Sequence, residues 1–248
     1  MTTINSSDTH DMAEELRERL YDIINEDNYD AFVGIMESPT AAPLGLCDPT
    51  LDENLSLYLQ ATGRPDGDAR FIRYYSEVLQ ISPMTQHPNI EDSALDAMNW
   101  DSKLSLKTPE AKNNMLRLHH LMAHADFDPT ALLYGEYNNK IDKVKVITED
   151  GPLLWVLINN SCVWGVAALL GSSRTPITFE YKGFLEIFNN DEVNPNNNRL
   201  SLEELLSYLI ANLDEEEVTK VAAIAKMIKS YKDNREATVQ RLRAFYLD

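Results

Sequence analysis

His120 and His124 stand four residues apart, with His119 and Asp126 beside them. On a helix that spacing sets two imidazoles on one face, where they could share a zinc ion. A third ligand of identifiable origin is missing, and there is no HExxH glutamate. The histidines therefore read as partly buried or interfacial residues of a leucine-rich helix, and no metal cofactor is expected. The stretch FNNDEVNPNNNRLSLEEL (188–205) ends like the exit half of an EF-hand. Calcium needs oxygen ligands at alternating loop positions and a bidentate Glu at the end. With Glu204 as that last ligand, Val193 and Pro195 fall at the first and third positions, and neither has a side-chain oxygen. The simpler expectation is an Asn-rich loop entering a helix capped by Ser201, with Glu204 three residues on.

Nucleophiles fare no better. Cys47 lies in GLCDP and Cys162 in NNSCVW, outside known nucleophile motifs, and Cys162 is expected in the core. Ser172 and Ser173 have no G-x-S-x-G elbow, and there is no GxxxxGK or GxGxxG phosphate loop. The motifs do not point to an enzyme and no cofactor is expected. A helical calcium-binding module and a small Cys- or His-dependent enzyme stand as the alternatives to a binding function.

The elements that would position these residues are helical. Met12, Leu16, Leu20, Ile23 and Ile24 recur on one face after Asp11 and Glu14 at capping-box spacing, and a second short helix follows with Phe32, Val33 and Met36 inward. The same grammar of helix, turn, helix and loop returns, giving hairpins near 11–37, 53–80, 93–125, 151–171 and 200–231. The clearest first helix is 200–213, where Leu202, Leu205, Leu206, Leu209, Ile210 and Leu213 form a stripe. A last helix, 235–247, has Val239, Leu242, Phe245 and Tyr246 opposite Arg235, Arg241 and Arg243, as a terminal cap needs. DKVKVITED, with alternating Val144, Val146 and Thr148, is the one expected strand exception.

With 44% apolar residues the 248-residue chain can bury a real core. Its formal charge of −18 repels nucleic acid and anionic bilayers, so a protein partner with a basic or mixed-charge surface is the expected ligand. Two cysteines far apart fit a reducing, cytoplasmic setting. The longest apolar run, PLLWVLI (152–158), is too short to span a bilayer, and the N-terminus has no basic patch followed by an apolar core, so neither membrane insertion nor a signal peptide is expected.

Several segments carry a family resemblance. ITEDGPLLWVLINN (147–160) resembles the turn and first helix of an ankyrin repeat, HPNIEDSALDAM (87–98) a repeat start with a shortened tip, and GDARFIRYY (67–75) the second helix. RTPITFEYKGFLEIF (174–188) reads either as a sixth, compressed repeat or as an inserted helix. Starts near Asp48, Asp92, Asp150 and Asn198 lie farther apart than the family period of roughly 33 residues, so insertions sit between units. The resemblance implies an all-α, single-domain solenoid over 1–248 that binds a protein through its concave face and loop tips. Acidic, diverged arrays of this kind are similar to effectors that intracellular bacteria deliver into host cytosol. Asp52, Glu53, Glu91, Asp92, Glu149 and Asp150 would lie at the hairpin tips, Asp96 where the family has its first-helix His, and Trp155 on a first helix facing the groove, as protein-binding candidates. Trp164 reads as core.

Overall fold

The computed structural model describes residues 6–90, 92–100, 103–133, 139–141, 144–148, 151–172, 177, 179–189, 192–193 and 199–247. It is mostly helical, with ten α-helices among the described residues. Packing divides the chain into two compact units. Unit 1 comprises Met1–Asn99 and His124–Phe127; unit 2 comprises Trp100–Ala123 and Asp128–Asp248.

Unit 1 is built from α1 (Ser6–Asn25), α2 (Tyr29–Met36), α3 (Asp52–Gly63) and α4 (Ala69–Arg73), which runs on into a π-helical turn, Tyr74–Val78. Helix α1 begins at Ser6, so Asp11 and Glu14 lie inside it and cap nothing. Its buried face is Ala13, Leu20, Ile23 and Ile24; Met12, expected inward, is exposed. The chain reverses at Asp27, whose φ is 58°, and Asn28 then caps α2 by accepting the Ala31 amide at 3.2 Å. Phe32 anchors the core, edge-on to Phe71 (5.1 Å) and Tyr74 (5.2 Å), while Tyr58 stacks on Tyr75 at 5.3 Å.

One expected helix is absent. Residues 93–100 form a single turn, in which the Ser93 amide donates to the Asp96 carboxylate at 2.9 Å and the Asp96 amide donates to Ser93 Oγ at 3.3 Å.

Unit 2 contains α5 (Pro109–Ala123), α6 (Leu153–Asn159), α7 (Val163–Ser172), α8 (Leu202–Asn212), α9 (Glu215–Asp233) and α10 (Arg235–Arg243). Helix α7 is its centre: every residue from Trp164 to Ser172 is buried, and α5, α6, α9 and α10 all pack on it. Trp164 is core as expected, stacked on Trp100 at 5.8 Å.

The strands are also in this unit: β1 (Leu132–Leu133), β2 (Asn139–Ile141), β3 (Val144–Thr148), β4 (Gly151–Pro152), β5 (Lys182–Asn189), β6 (Glu192–Val193) and β7 (Arg199–Ser201). The expected exception near 140–150 is the antiparallel pair β2–β3. The segment 174–188, read as a repeat or an inserted helix, instead supplies most of β5. That strand pairs with β3 from Val144↔Asn189 to Thr148↔Leu185 and also pairs with β6 and β7. No helix among the described residues is long and apolar enough to cross a membrane.

Helix α8 starts on the capping box read from its sequence. The Ser201 amide donates to Glu204 Oε2 at 2.6 Å, and the Glu204 amide donates to Ser201 Oγ at 3.3 Å. Hydrogen bonds to its carboxylate from Ser201, the backbone one first and then the side-chain one, hold the Glu204 carboxyl below its ordinary pKa. Ser201→Ala is expected to cost about 1 kcal/mol, the usual worth of an N-cap. An unchanged urea midpoint for this variant would show that the box contributes nothing.

Candidate functional site

Helix α1 turns Ala13, Leu20, Ile23 and Ile24 inward, which leaves Glu14, Glu18 and Asp22 as an exposed row spaced four residues apart. One turn of helix advances about 5.4 Å, so the carboxylates succeed one another at about 6 Å. Helix α3 packs on α1 with Asp52 and Glu53 in its first turn, where the helix dipole favours negative charge. Between the two helices lies a groove of about 640 Å³, whose lining includes Glu14, Glu18, Tyr21, Asp22, Glu53 and Leu57. Leu57 is buried beneath it, and Tyr21 stands 47% exposed, a rigid aromatic ready for contact.

The groove is held from behind. Asn54 donates to the carbonyls of Gly45 and Asp48, both at 2.8 Å, fastening the preceding loop to α3. Gly45 has φ 71°, a left-handed conformation that suits glycine. Ser56, which also lines the groove, lies 2.8 Å from Nε2 of buried His87, whose Nδ1 accepts the Asn89 amide at 3.2 Å. That acceptor role puts the ring proton on Nε2, facing Ser56.

Among the described residues, Glu18, Asp22 and Glu53 have no ion-pair partner, and Glu14 meets only His10, at 3.9 Å. The wider charge distribution has the same sign. Unit 1 contains twenty Asp and Glu against five Arg and no Lys, a formal charge of −15, which leaves −3 of the total −18 for unit 2.

No family model, curated protein or solved structure matches the chain. The ankyrin resemblance rests on the residues quoted for it.

Of the residues singled out in the sequence, Glu53 lines the groove and Asp52 is exposed beside it. Asp92 is linked to α3 through His87, whose amide donates to the Asp92 carbonyl at 2.9 Å. Burial, and then the Asp96 charge, raise the Asp92 carboxyl above its ordinary pKa. Asp96 is engaged by Ser93. Trp155 is 1% exposed and edge-on to Tyr181 at 5.5 Å, inside unit 2, so its indole is not at a surface. Glu91, Glu149 and Asp150 lie outside the described residues.

The chemical candidates find other partners. Helix α5 ends at Ala123, so His124 is off the helix. Its Nδ1 accepts the Asp126 amide at 3.1 Å and its Nε2 faces the Gln80 carbonyl at 3.4 Å. No three His, Cys, Asp or Glu side chains among the described residues are grouped to hold a metal. Burial raises the Cys47 thiol pKa, the opposite of what a nucleophile needs, and its Sγ lies 3.6 Å from the Met36 carbonyl. Cys162 is fully buried. A chain the sequence did not reveal joins His119 Nδ1 to Ser172 Oγ at 2.9 Å and Ser172 to the Tyr246 hydroxyl. Ser172 and Tyr246 are both buried, so these bonds tie α5 and α7 to the turn that follows α10.

Proposed function

We propose that the chain is a protein-interaction module whose partner presents basic residues to the acidic surface of unit 1, centred on the α1–α3 groove. The observation that carries this reading is the concentration of charge: −15 in a lysine-free unit, with three unpaired carboxylates beside an exposed tyrosine and an apolar floor. Around this concavity four carboxylates outnumber the lining's one arginine, Arg17, and a negative excess of this kind accelerates encounter with basic surfaces and selects against acidic competitors.

Helical hairpins of an ankyrin-like kind fit this role, because stacked pairs present continuous surfaces. Supporting that reading, helices adjacent in the chain pack on each other: α1 with α2, α3 with α4, α6 with α7 and α8 with α9. A reducing compartment such as the cytosol belongs to the same proposal, both cysteines being free thiols.

The test uses a labelled lysine-rich peptide and the full chain carrying Glu18→Lys, Asp22→Lys and Glu53→Lys. Association with the wild type should be about tenfold faster than with the variant at low ionic strength, with the difference shrinking as salt shortens the Debye length. Circular dichroism should be unchanged, since exposed charges contribute little to stability. Equal association rates at every salt concentration would remove the acidic groove from the function.

A further inference from the structure

Between Glu14 and Glu18 on helix α1, the lining of the acidic groove contains one guanidinium, that of Arg17. Helix geometry offers it Glu14, three residues earlier, as an ion-pair partner. Among the described residues no carboxylate comes within ion-pairing distance of it, and its Nε is buried without a hydrogen bond. The head of the side chain rests against the loop that Asn54 fastens to α3: Nη2 lies 3.8 Å from where a Cβ on Gly45 would stand. A buried donor that bonds nothing has given up its hydrogen bond to water and received none in return. Arg17 is thus a half-buried cation with an unbonded donor, beside four carboxylates in the same groove.

We propose that Arg17 binds the C-terminal carboxylate of a partner chain whose last residue is Lys or Arg, the basic side chain of that residue lying among the groove's carboxylates. The inference deepens the acidic-groove reading and rests on it. A guanidinium presents Nε–H and an Nη–H as a planar fork that matches the two oxygens of a carboxylate, so an unbonded Nε suits an oxyanion. A bare anion would also meet Glu14, Glu18, Asp22 and Glu53, so it must arrive with positive charge of its own. A phosphate, with about twice the charge of a carboxylate, would be repelled harder. A C-terminal lysine or arginine supplies the single anion and the cation on one residue. Volume narrows the choice further: about 640 Å³ falls within the roughly 300–1,000 Å³ of small-ligand pockets, which suits a chain end entering from one side better than a folded surface. An internal Asp or Glu would bring chain through the groove in both directions. The aliphatic stem of the terminal residue would lie on Leu57 and on Tyr21, four residues beyond Arg17, whose ring also attracts a cation.

The test titrates a labelled lysine-rich peptide ending in arginine, made once with a free C-terminal carboxylate and once as the C-terminal amide, with the full chain. The negative charge of unit 1 by itself favours the amide, which has one more net positive charge, so bulk attraction and capture by Arg17 give opposite orders. The free acid should bind about tenfold tighter than the amide, the scale of one charge-assisted pair. Arg17→Gln should abolish that preference while leaving the amide's affinity at or above its wild-type value. Arg17→Lys should restore part of the preference, since an ammonium keeps the charge without the fork. The order of acid and amide is read on the wild type, so the result stands even if substitution at position 17 perturbs folding. Equal affinities, or tighter binding of the amide, would overturn the role of Arg17 and leave the acidic groove in place. So would a preference for the acid that persists in Arg17→Gln. An amidated peptide with one internal glutamate that matches the free acid would overturn the chain end as the source of the carboxylate. If neither peptide saturates, this inference and the acidic-groove reading fail together.

Discussion

Leu206→Asp should shift the tryptophan-detected urea transition of the second unit by several kcal/mol. Leu206 is 8% exposed on the inward stripe of α8, which packs against α9. Burying a carboxylate in that apolar stripe costs a large part of what a marginally stable unit has in reserve. Trp100, Trp155 and Trp164 all belong to unit 2, so their fluorescence reports that unit's unfolding, whereas far-ultraviolet dichroism sums both. The expected result is an early fluorescence transition, with part of the helical dichroism surviving to higher urea. A shift of less than about half a kcal/mol would place residue 206 at an accessible surface.

Gly165→Val should be comparably damaging, for a steric reason. A Cβ at position 165 would stand 2.4 Å from Leu157 Cδ2 and 2.9 Å from Cys162 Sγ. Both neighbours are fully buried, Leu157 on a helix with no exposed residue from Leu153 to Asn159, so neither has room to retreat. Overpacking of this sort costs about 1–3 kcal/mol per insertion, and valine adds two γ-methyls to place beyond the Cβ. Gly165→Ala separates the causes: it gains up to about 1 kcal/mol of helix propensity, so a net loss on thermal melting measures the clash. A melting temperature equal to wild type for the valine variant would show that α6 and α7 can separate without cost.

The helices were legible where one face is buried and the other wet. The Ser201–Glu204 box of α8 and the Leu202, Leu205, Leu206 and Leu209 part of its stripe could be read directly, because both signals are local, whereas Ile210, expected inward, is exposed and Leu213 is half-buried. Helix α6 could be located but not oriented: LLWVLIN is buried all round, so periodicity could not say whether Trp155 faced a partner or the core. Strand β5 was hidden because FLEIF has apolar residues at helical as well as strand spacing. Its pairing is with β3, some forty residues earlier. At the candidate site, Glu53 was visible as an acidic residue opening a helix. Of its companions, Glu14 reads as a capping-box residue and Glu18 and Asp22 belong to no motif, and only the packing of α3 on α1 makes the four one surface. His87 and Asn54, which brace that surface, belong to no motif; their significance comes from burial.

The absence of lysine from unit 1 also determines how the chain can be handled and marked. All eleven side-chain amines fall at or after Lys103, in unit 2. Lysine-directed dyes, cross-linkers and activated resins therefore attach through unit 2 side chains and find no lysine on the acidic groove. Enzymes that acylate, methylate or conjugate ubiquitin to lysine side chains meet the same restriction.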